Sequence, residues 1–184
     1  MNLNYIELIR QNKLSYSTID SLTKKLATFT KEAEIDVKNN IVSLIQDGSL
    51  FLDDKNKVSI SADRGYLKGT ISINKKGYGF AKVENYPDFF IPAFAVNGAL
   101  DGDLCLVEIT NTKSSQDIEA RVVKVLKRNT THVVGTFITG KSKDVVFPDD
   151  PRLPQIRIFK GNSLNAQNNQ KVWVELDLDS VGGN

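Results

Sequence analysis

Residues 76–92 constrain this chain more than any other stretch. Lys76-Gly77-Tyr78-Gly79-Phe80-Ala81-Lys82 is followed a few residues on by Asp88-Phe89-Phe90-Ile91-Pro92. Two short strands carrying aromatics, glycines and lysines are predicted. Side chains on a strand alternate between faces, so Tyr78, Phe80 and Lys82 share one face while Gly79, Ala81 and Val83 share the other. The small, apolar set suits a core. The aromatics then face outward, joined by Phe90 if Phe89 and Ile91 point inward.

The preceding segment extends the pattern. Leu67, Ile71 and Ile73 make a core face, and Lys68, Thr70 and Ser72 fall on the aromatic side. The opposite assignment, with Tyr78 and Phe80 packed inside, would bury Lys68 and Lys82 beside them without partners, at a large desolvation cost. Three strands therefore share one polar, aromatic and basic surface. Unpaired bases stack on such rings while lysines attract the phosphates, which is how a sheet binds single-stranded RNA.

From Lys68 to Arg128 the chain resembles a cold-shock domain of the OB-fold class. Lys76–Phe80 matches that family's first ribonucleoprotein-type motif and Asp88–Pro92 its second, followed by Gly98-Ala99-Leu100-Asp101-Gly102-Asp103 leading into a strand. The family's tryptophan on the first strand is absent, and Pro92 stands where stand-alone cold-shock proteins usually carry histidine. Taken whole, the chain is similar to the N-terminal region of the ribonuclease R group, processive 3′-to-5′ exoribonucleases of the ribonuclease II family. The resemblance implies an α+β, multidomain fold. A winged helix-turn-helix domain over residues 1–62 would precede a cold-shock OB-fold barrel over 63–130 and a second, incomplete one over 131–184. It also implies that the magnesium-binding catalytic carboxylates lie in a downstream domain outside this chain.

The formal net charge is only +2, low for a dedicated nucleic-acid binder, so affinity must come from local placement of charge. Residues 63–130 carry the positive excess and both flanking segments are neutral. One cysteine excludes an internal disulfide and a cysteine-based zinc site. Cys105 falls in phase with Val107 and Ile109, as a small core residue would. His132, the single histidine, reads as a surface linker residue between the second and third modules. The first 13 residues are amphipathic and lack an uninterrupted apolar stretch, which argues against a signal peptide or membrane span and for a cytoplasmic protein.

The first module reads as three helices and a hairpin. Tyr5, Leu8 and Ile9 mark the first helix, Ser17 with Asp20 a capping box opening the second, and Ile19, Leu22 and Leu26 its apolar stripe. Thr30 is expected to cap the third, whose stripe is Val37, Ile41, Leu44 and Ile45 and which ends at Asp47-Gly48. Leu50 and Leu52, then Val58 and Ile60, alternate around residues 53–57, where Lys55 and Lys57 form a wing. Glu32, Glu34 and Asp36 at the start of the third helix repel phosphate, with Lys31 and Lys38 only offsetting them. This disfavours duplex DNA and favours docking on a ribosomal or other protein, or on structured RNA.

Val134-Gly135-Thr136-Phe137-Ile138 echoes Lys68-Gly69-Thr70-Ile71-Ser72, an internal repeat at roughly 65 residues. In the second copy Asp144 and Val145 fall near the places of Tyr78 and Phe80, so this copy is expected to shape an RNA path more than to stack bases. Residues 161–170 read as a loop before a strand over 171–176. The sheet is expected to finish with an exposed edge. Asp149-Asp150 and Asp177/Asp179 are the carboxylate clusters most suggestive of magnesium, but the former is first of all a turn signature.

These readings lead to a single-stranded RNA-binding segment whose site residues are Lys68, Lys76, Tyr78, Phe80, Lys82 and Phe90, with no cofactor and no catalytic residue of its own. It would feed RNA to its own downstream catalytic domain, and no membrane partner is expected. The alternative is a free-standing RNA chaperone or winged-helix regulator using the same platform. A protein-interaction adaptor would rest on the neutral first module alone.

Overall fold

Apolar stripes at helical spacing give three helices, and alternating apolar residues give the strands that follow. The structure, a computed structural model, describes residues 4–115 and 117–176. Two compact units result, residues 1–67 and residues 68–184.

In the first unit, α1 (Tyr5–Gln11) is capped by Asn4, whose side chain accepts from the Glu7 amide. The second helix, α2 (Ile19–Thr30), starts one residue later than the capping-box reading implies. Thr18 is its N-cap and accepts from the Ser21 amide at 3.3 Å. Ser17 does not fill that role, because its carbonyl accepts from the Val58 amide at 2.8 Å in a β-bridge and so is not turned into the helix. Nor does Thr30 cap α3 (Glu34–Gln46). It is the last residue of α2, its hydroxyl accepts from the Glu32 amide, and α3 opens after Ala33 with no side-chain cap. The helix ends where expected, Gly48 adopting φ 79 just past Asp47. Strands β1 (Leu50–Leu52) and β2 (Val58–Ile60) pair antiparallel across a turn in which Asp53 accepts from the Lys55 and Lys57 amides. Leu22, Leu26, Val37, Ile41 and Leu50 are fully buried and fuse helices and hairpin into one core.

The second unit contains a closed OB-like barrel. Its strands are β3 (Tyr66–Ile73), β4 (Gly79–Val83), β5 (Phe89–Ile91), β6 (Leu104–Ser114) and β7 (Asp117–Lys127), in the order β3-β4-β5-β7-β6. Ile71, Ala81, Phe89, Ile91 and Val122 fill the interior. Gly79 is required by close approach, since a Cβ there would lie 2.4 Å from the Ser72 carbonyl oxygen across the β3–β4 ladder. Inward alternation in β6 is less regular than expected. Cys105 and Val107 are buried, but so is Leu106, and Ile109 is exposed, because register shifts after Leu104, Leu106 and Ile109 break the period of two.

Residues 98–103 close the barrel. Gly102 donates to the Ile71 carbonyl, Ile71 donates back to Asp103, and the Asp101 carboxylate accepts from the Ile73 amide. The Asp103 carboxylate, fully buried, accepts from the amides of Leu100 and Asn129 and from Arg128 at 2.5 Å. The same guanidinium nitrogen reaches the Gly98 carbonyl at 2.8 Å. One buried ion pair thus ties the entry of β6 to the exit of β7.

After the barrel, β8 (His132–Ile138), β9 (Asp144–Pro148), β10 (Ile156–Ile158) and β11 (Lys171–Glu175) form a four-stranded sheet in the order β10-β9-β8-β11. Val133, Phe137, Val146 and Ile156 form its core, and Leu100 from the barrel-closing loop packs among them. His132 is not a linker residue. It opens β8 opposite Glu175 and stacks on Trp173. Asp177 and Asp179 lie outside the described residues.

Removing one partner of a buried pair leaves the other charged and unpaired. Asp103→Ala should therefore lower stability by about 3–5 kcal/mol in urea unfolding followed by circular dichroism. Asp101→Ala, which removes one hydrogen bond, should lower it by about 1 kcal/mol. Similar small losses for both would show that the barrel is not held at Asp103. Burial pushes the Cys105 thiol up to about 12, with Asp103 adding to the shift and Arg128 opposing it. At pH 8 the native chain should resist thiol reagents and the unfolded chain react at once; rapid native labelling would put Cys105 at the surface.

Candidate nucleic-acid interface

The β3–β4–β5 register aligns side chains across three strands. Thr70 pairs with Lys82, Ser72 with Phe80, and Phe80 in turn with Phe90. Opposed residues in a ladder share a face, so Ser72, Phe80 and Phe90 form one row. Burial alternates as the sequence requires: Gly79, Ala81 and Val83 are buried while Phe80 and Lys82 are exposed, and Phe89 and Ile91 are buried around a half-buried Phe90.

Tyr78, at the mouth of β4, completes an aromatic triad. Ring centroids lie 6.1 Å apart for Tyr78–Phe80, 5.6 Å for Tyr78–Phe90 and 5.8 Å for Phe80–Phe90, with interplanar angles of 80°, 53° and 63°. Tilted and edge-on arrangements of this kind are favourable and hold each ring in place. Phe80 remains 42% exposed at the centre of the cluster. Hydrophobic packing does not account for that exposure, because the core side of the same strand is already filled.

Cations frame the rings. Lys82 is exposed two residues beyond Phe80, and Lys68 is exposed on the outward side of β3. Lys76 sits in the β3–β4 turn, where its amide donates to Asn74 Oδ1 and Gly77 adopts φ 84. All six residues named from the sequence therefore lie on this face or on the turn that enters it. On the β7 side the surface is more acidic: Glu119 is paired with Phe90, and Glu108 is bound by Arg121 at 2.6 Å.

Sequence reasoning missed other exposed rings. Phe94 is 85% exposed in the short turn after β5, and Phe147 and Trp173 are exposed on the second sheet. Phe94 carried a readable signal, a lone aromatic between two alanines after Pro92. Trp173 carried one as well, alternating with Val172 and Val174 in a strand that the sequence places correctly.

The acidic pair beside this region is already engaged. Asp149 is bound by Lys171, and Asp150 by the Arg152 guanidinium at 2.7 Å and the Arg152 amide. The Arg152 interactions hold the Asp150 carboxyl down at about 2. Among the described residues no three His, Cys, Asp or Glu side chains come together in one cluster. Among the same residues no helix is long and apolar enough to cross a membrane.

Comparison with known proteins agrees with this geometry. The family model for the ribonuclease B OB domain matches residues 69–125, the barrel itself. Ribonuclease R of Thermotoga maritima is 29% identical over 160 residues, which is 86% of this chain and 22% of that protein. Ribonuclease R of Escherichia coli is 27% identical over 159 residues, 85% of this chain and 20% of that protein. The apo form of Mycoplasma genitalium RNase R superposes with a TM-score of 0.51 at 23% identity, covering 60% of this chain and 19% of the other, a likeness of fold. The chain spans about a fifth of the length of the curated relatives it matches. Over most of its length the chain is similar to ribonuclease R, and with a barrel that matches the ribonuclease B OB domain it fits the N-terminal region of that group.

Proposed function

We propose that this chain is the single-stranded RNA-binding N-terminal segment of a cytoplasmic, ribonuclease R-like 3′-to-5′ exoribonuclease. It captures RNA on the first barrel and passes it toward a magnesium-dependent catalytic domain elsewhere in the protein. The observation that carries this reading is the Tyr78–Phe80–Phe90 triad, with Phe80 exposed between two half-buried rings and framed by Lys68, Lys76 and Lys82. Rings already held against one another give up little entropy when a base stacks on them, and stacking tolerates any sequence because every base has a π-face. An enzyme that degrades RNA processively needs that tolerance.

In this reading residues 1–62 act as a winged helix-turn-helix domain that docks on protein or structured RNA. The first turn of α3 is acidic, Lys38 is committed to Asp20 at 3.0 Å, and Ile35 and Val42 of α3 are exposed. An acidic helix with apolar side chains on its surface suits a protein partner better than a phosphate backbone. Residues 63–130 and 131–184 act as the two cold-shock modules.

Phe80→Ala or Phe90→Ala should weaken binding of labelled single-stranded RNA at least several-fold, since stacking contributes about 1–3 kcal/mol per base. Folded variants that bind like the parent would show that the triad is not the platform. Lys76→Ala and Lys82→Ala should each flatten the log–log salt dependence of binding by about 0.7 for every phosphate left without its lysine; an unchanged slope would place these lysines away from the backbone. With magnesium, the purified chain should leave end-labelled RNA full length while anisotropy shows it bound. Stepwise 3′ shortening abolished by Asp149→Asn/Asp150→Asn would instead locate an active site in the second sheet.

A further inference from the structure

Among the described residues β11 is an edge strand, with β8 on one side and no strand on the other. The hydrogen bonds at its two ends orient its backbone. The Gln170 carbonyl accepts from the Phe137 amide at 2.9 Å, and the Leu176 amide donates to the Thr131 carbonyl at 2.7 Å, both on the β8 side. Along a strand the amide and carbonyl of one residue point the same way, and the direction reverses at the next residue. The even-numbered residues therefore bond β8, and Lys171, Trp173 and Glu175 turn their amides and carbonyls to the open edge.

The side chains of those same residues are exposed, whereas Val172 and Val174 are half-buried on the core side. That core is less complete at β11 than further in: Val133, Phe137 and Val146 are buried, while the two valines stay partly open to water. An edge strand with outward hydrogen-bonding groups and an uncovered apolar side is a template for another strand.

Lys171-Val172-Trp173-Val174-Glu175 is its own complement in charge and polarity. When two copies lie antiparallel about Trp173, Lys171 of one falls opposite Glu175 of the partner subunit, Val172 opposite Val174, and Trp173 opposite Trp173. In that register the residues with outward backbone groups meet one another, so their amides and carbonyls are matched in full. Opposite charges across a ladder attract and like charges repel. A parallel pairing in register would set Lys171 against Lys171 and Glu175 against Glu175, and a slip of one residue would put the partner's valines on the exposed face. Lys171 already holds Asp149, yet 62% of its side chain stays exposed and its ammonium has donors to spare. The other edge of the sheet lacks this complementarity: the same operation on β10 would set Arg157 against Arg157.

We propose that β11 is a self-association edge, through which two copies of this chain pair antiparallel over residues 171–175 into one continuous sheet. Lys171 and Glu175 contacts close both ends of the seam, and the valines of the two cores meet beneath it. Trp173, stacked on His132 of its own copy, meets its counterpart at the two-fold axis. The seam is short, so the association is weak, in the micromolar range, and it stops at the dimer because pairing uses up the edge of both copies.

Sedimentation velocity of the full chain, from low micromolar to several hundred micromolar, should show a monomer–dimer equilibrium. Trp173 is the only tryptophan in the chain, so its emission should change along the same binding curve. Lys171→Glu and Glu175→Lys, each folded by circular dichroism, put like charges at both ends of the seam and should raise the dissociation constant roughly five-fold or more. Mixing these two variants in equal amounts restores opposite charges across the seam and should restore the dimer, as should the double swap Lys171→Glu/Glu175→Lys. A chain that stays monomeric over the whole range overturns the proposal. A dimer unmoved by either reversal, or weakened by them and not recovered in the mixture, also overturns it, because the contact then lies on another face.

Discussion

The barrel depends on a charge pair that water cannot reach. Asp103 and Arg128 are both almost wholly buried, and neither would be stable there alone. Together, with the Leu100 and Asn129 amides and the Gly98 carbonyl, they satisfy one another and fix two distant points of the chain. The neighbouring backbone of Gly102 and Asp103 then pairs with Ile71, seating β6 against β3. The same β3 is the partner of β4 and sets Phe80 opposite Ser72, so the closure holds the strand on which the aromatic row is aligned. The buried pair therefore bears on the aromatic face although it touches no part of it.

The proposed function rests where the sequence breaks the rule that large apolar side chains go inside. Small residues occupy the inner positions of β4, so the barrel can be narrow and still filled, and the rings on the opposite side stay at the surface. Their tilted packing makes the exposed cluster rigid, and lysines at its borders supply the charge that the near-neutral chain lacks overall.

Much of this was legible from residues alone, and the reason is period. In β4 and β5 a strict alternation told which side chains share a face, and the helical stripes of α2 and α3 picked out Leu22, Leu26, Val37, Ile41 and Ile45 as buried while passing over Thr23 and counting Ile19 and Leu44, which are only partly covered. What failed depended on context beyond the local pattern. Ser17 and Thr18 are equivalent as caps until β2 claims the backbone of Ser17. The bulges of β6, which bury Leu106 and expose Ile109, leave no trace in hydropathy. His132 became part of an aromatic stack only because Glu175 lies opposite it, a pairing between residues 43 apart in the sequence. Long-range register decided each of these cases.

The central claim is that single-stranded RNA lies on the outward face of β3, β4 and β5. An NMR titration of the isotope-labelled chain with a short unstructured oligonucleotide tests it most directly. The largest aromatic and amide shifts should fall on Tyr78, Phe80, Phe90 and Lys82, with intermolecular signals from base protons to those rings. Shifts confined to residues 4–60, with the triad unmoved at saturation, would contradict it.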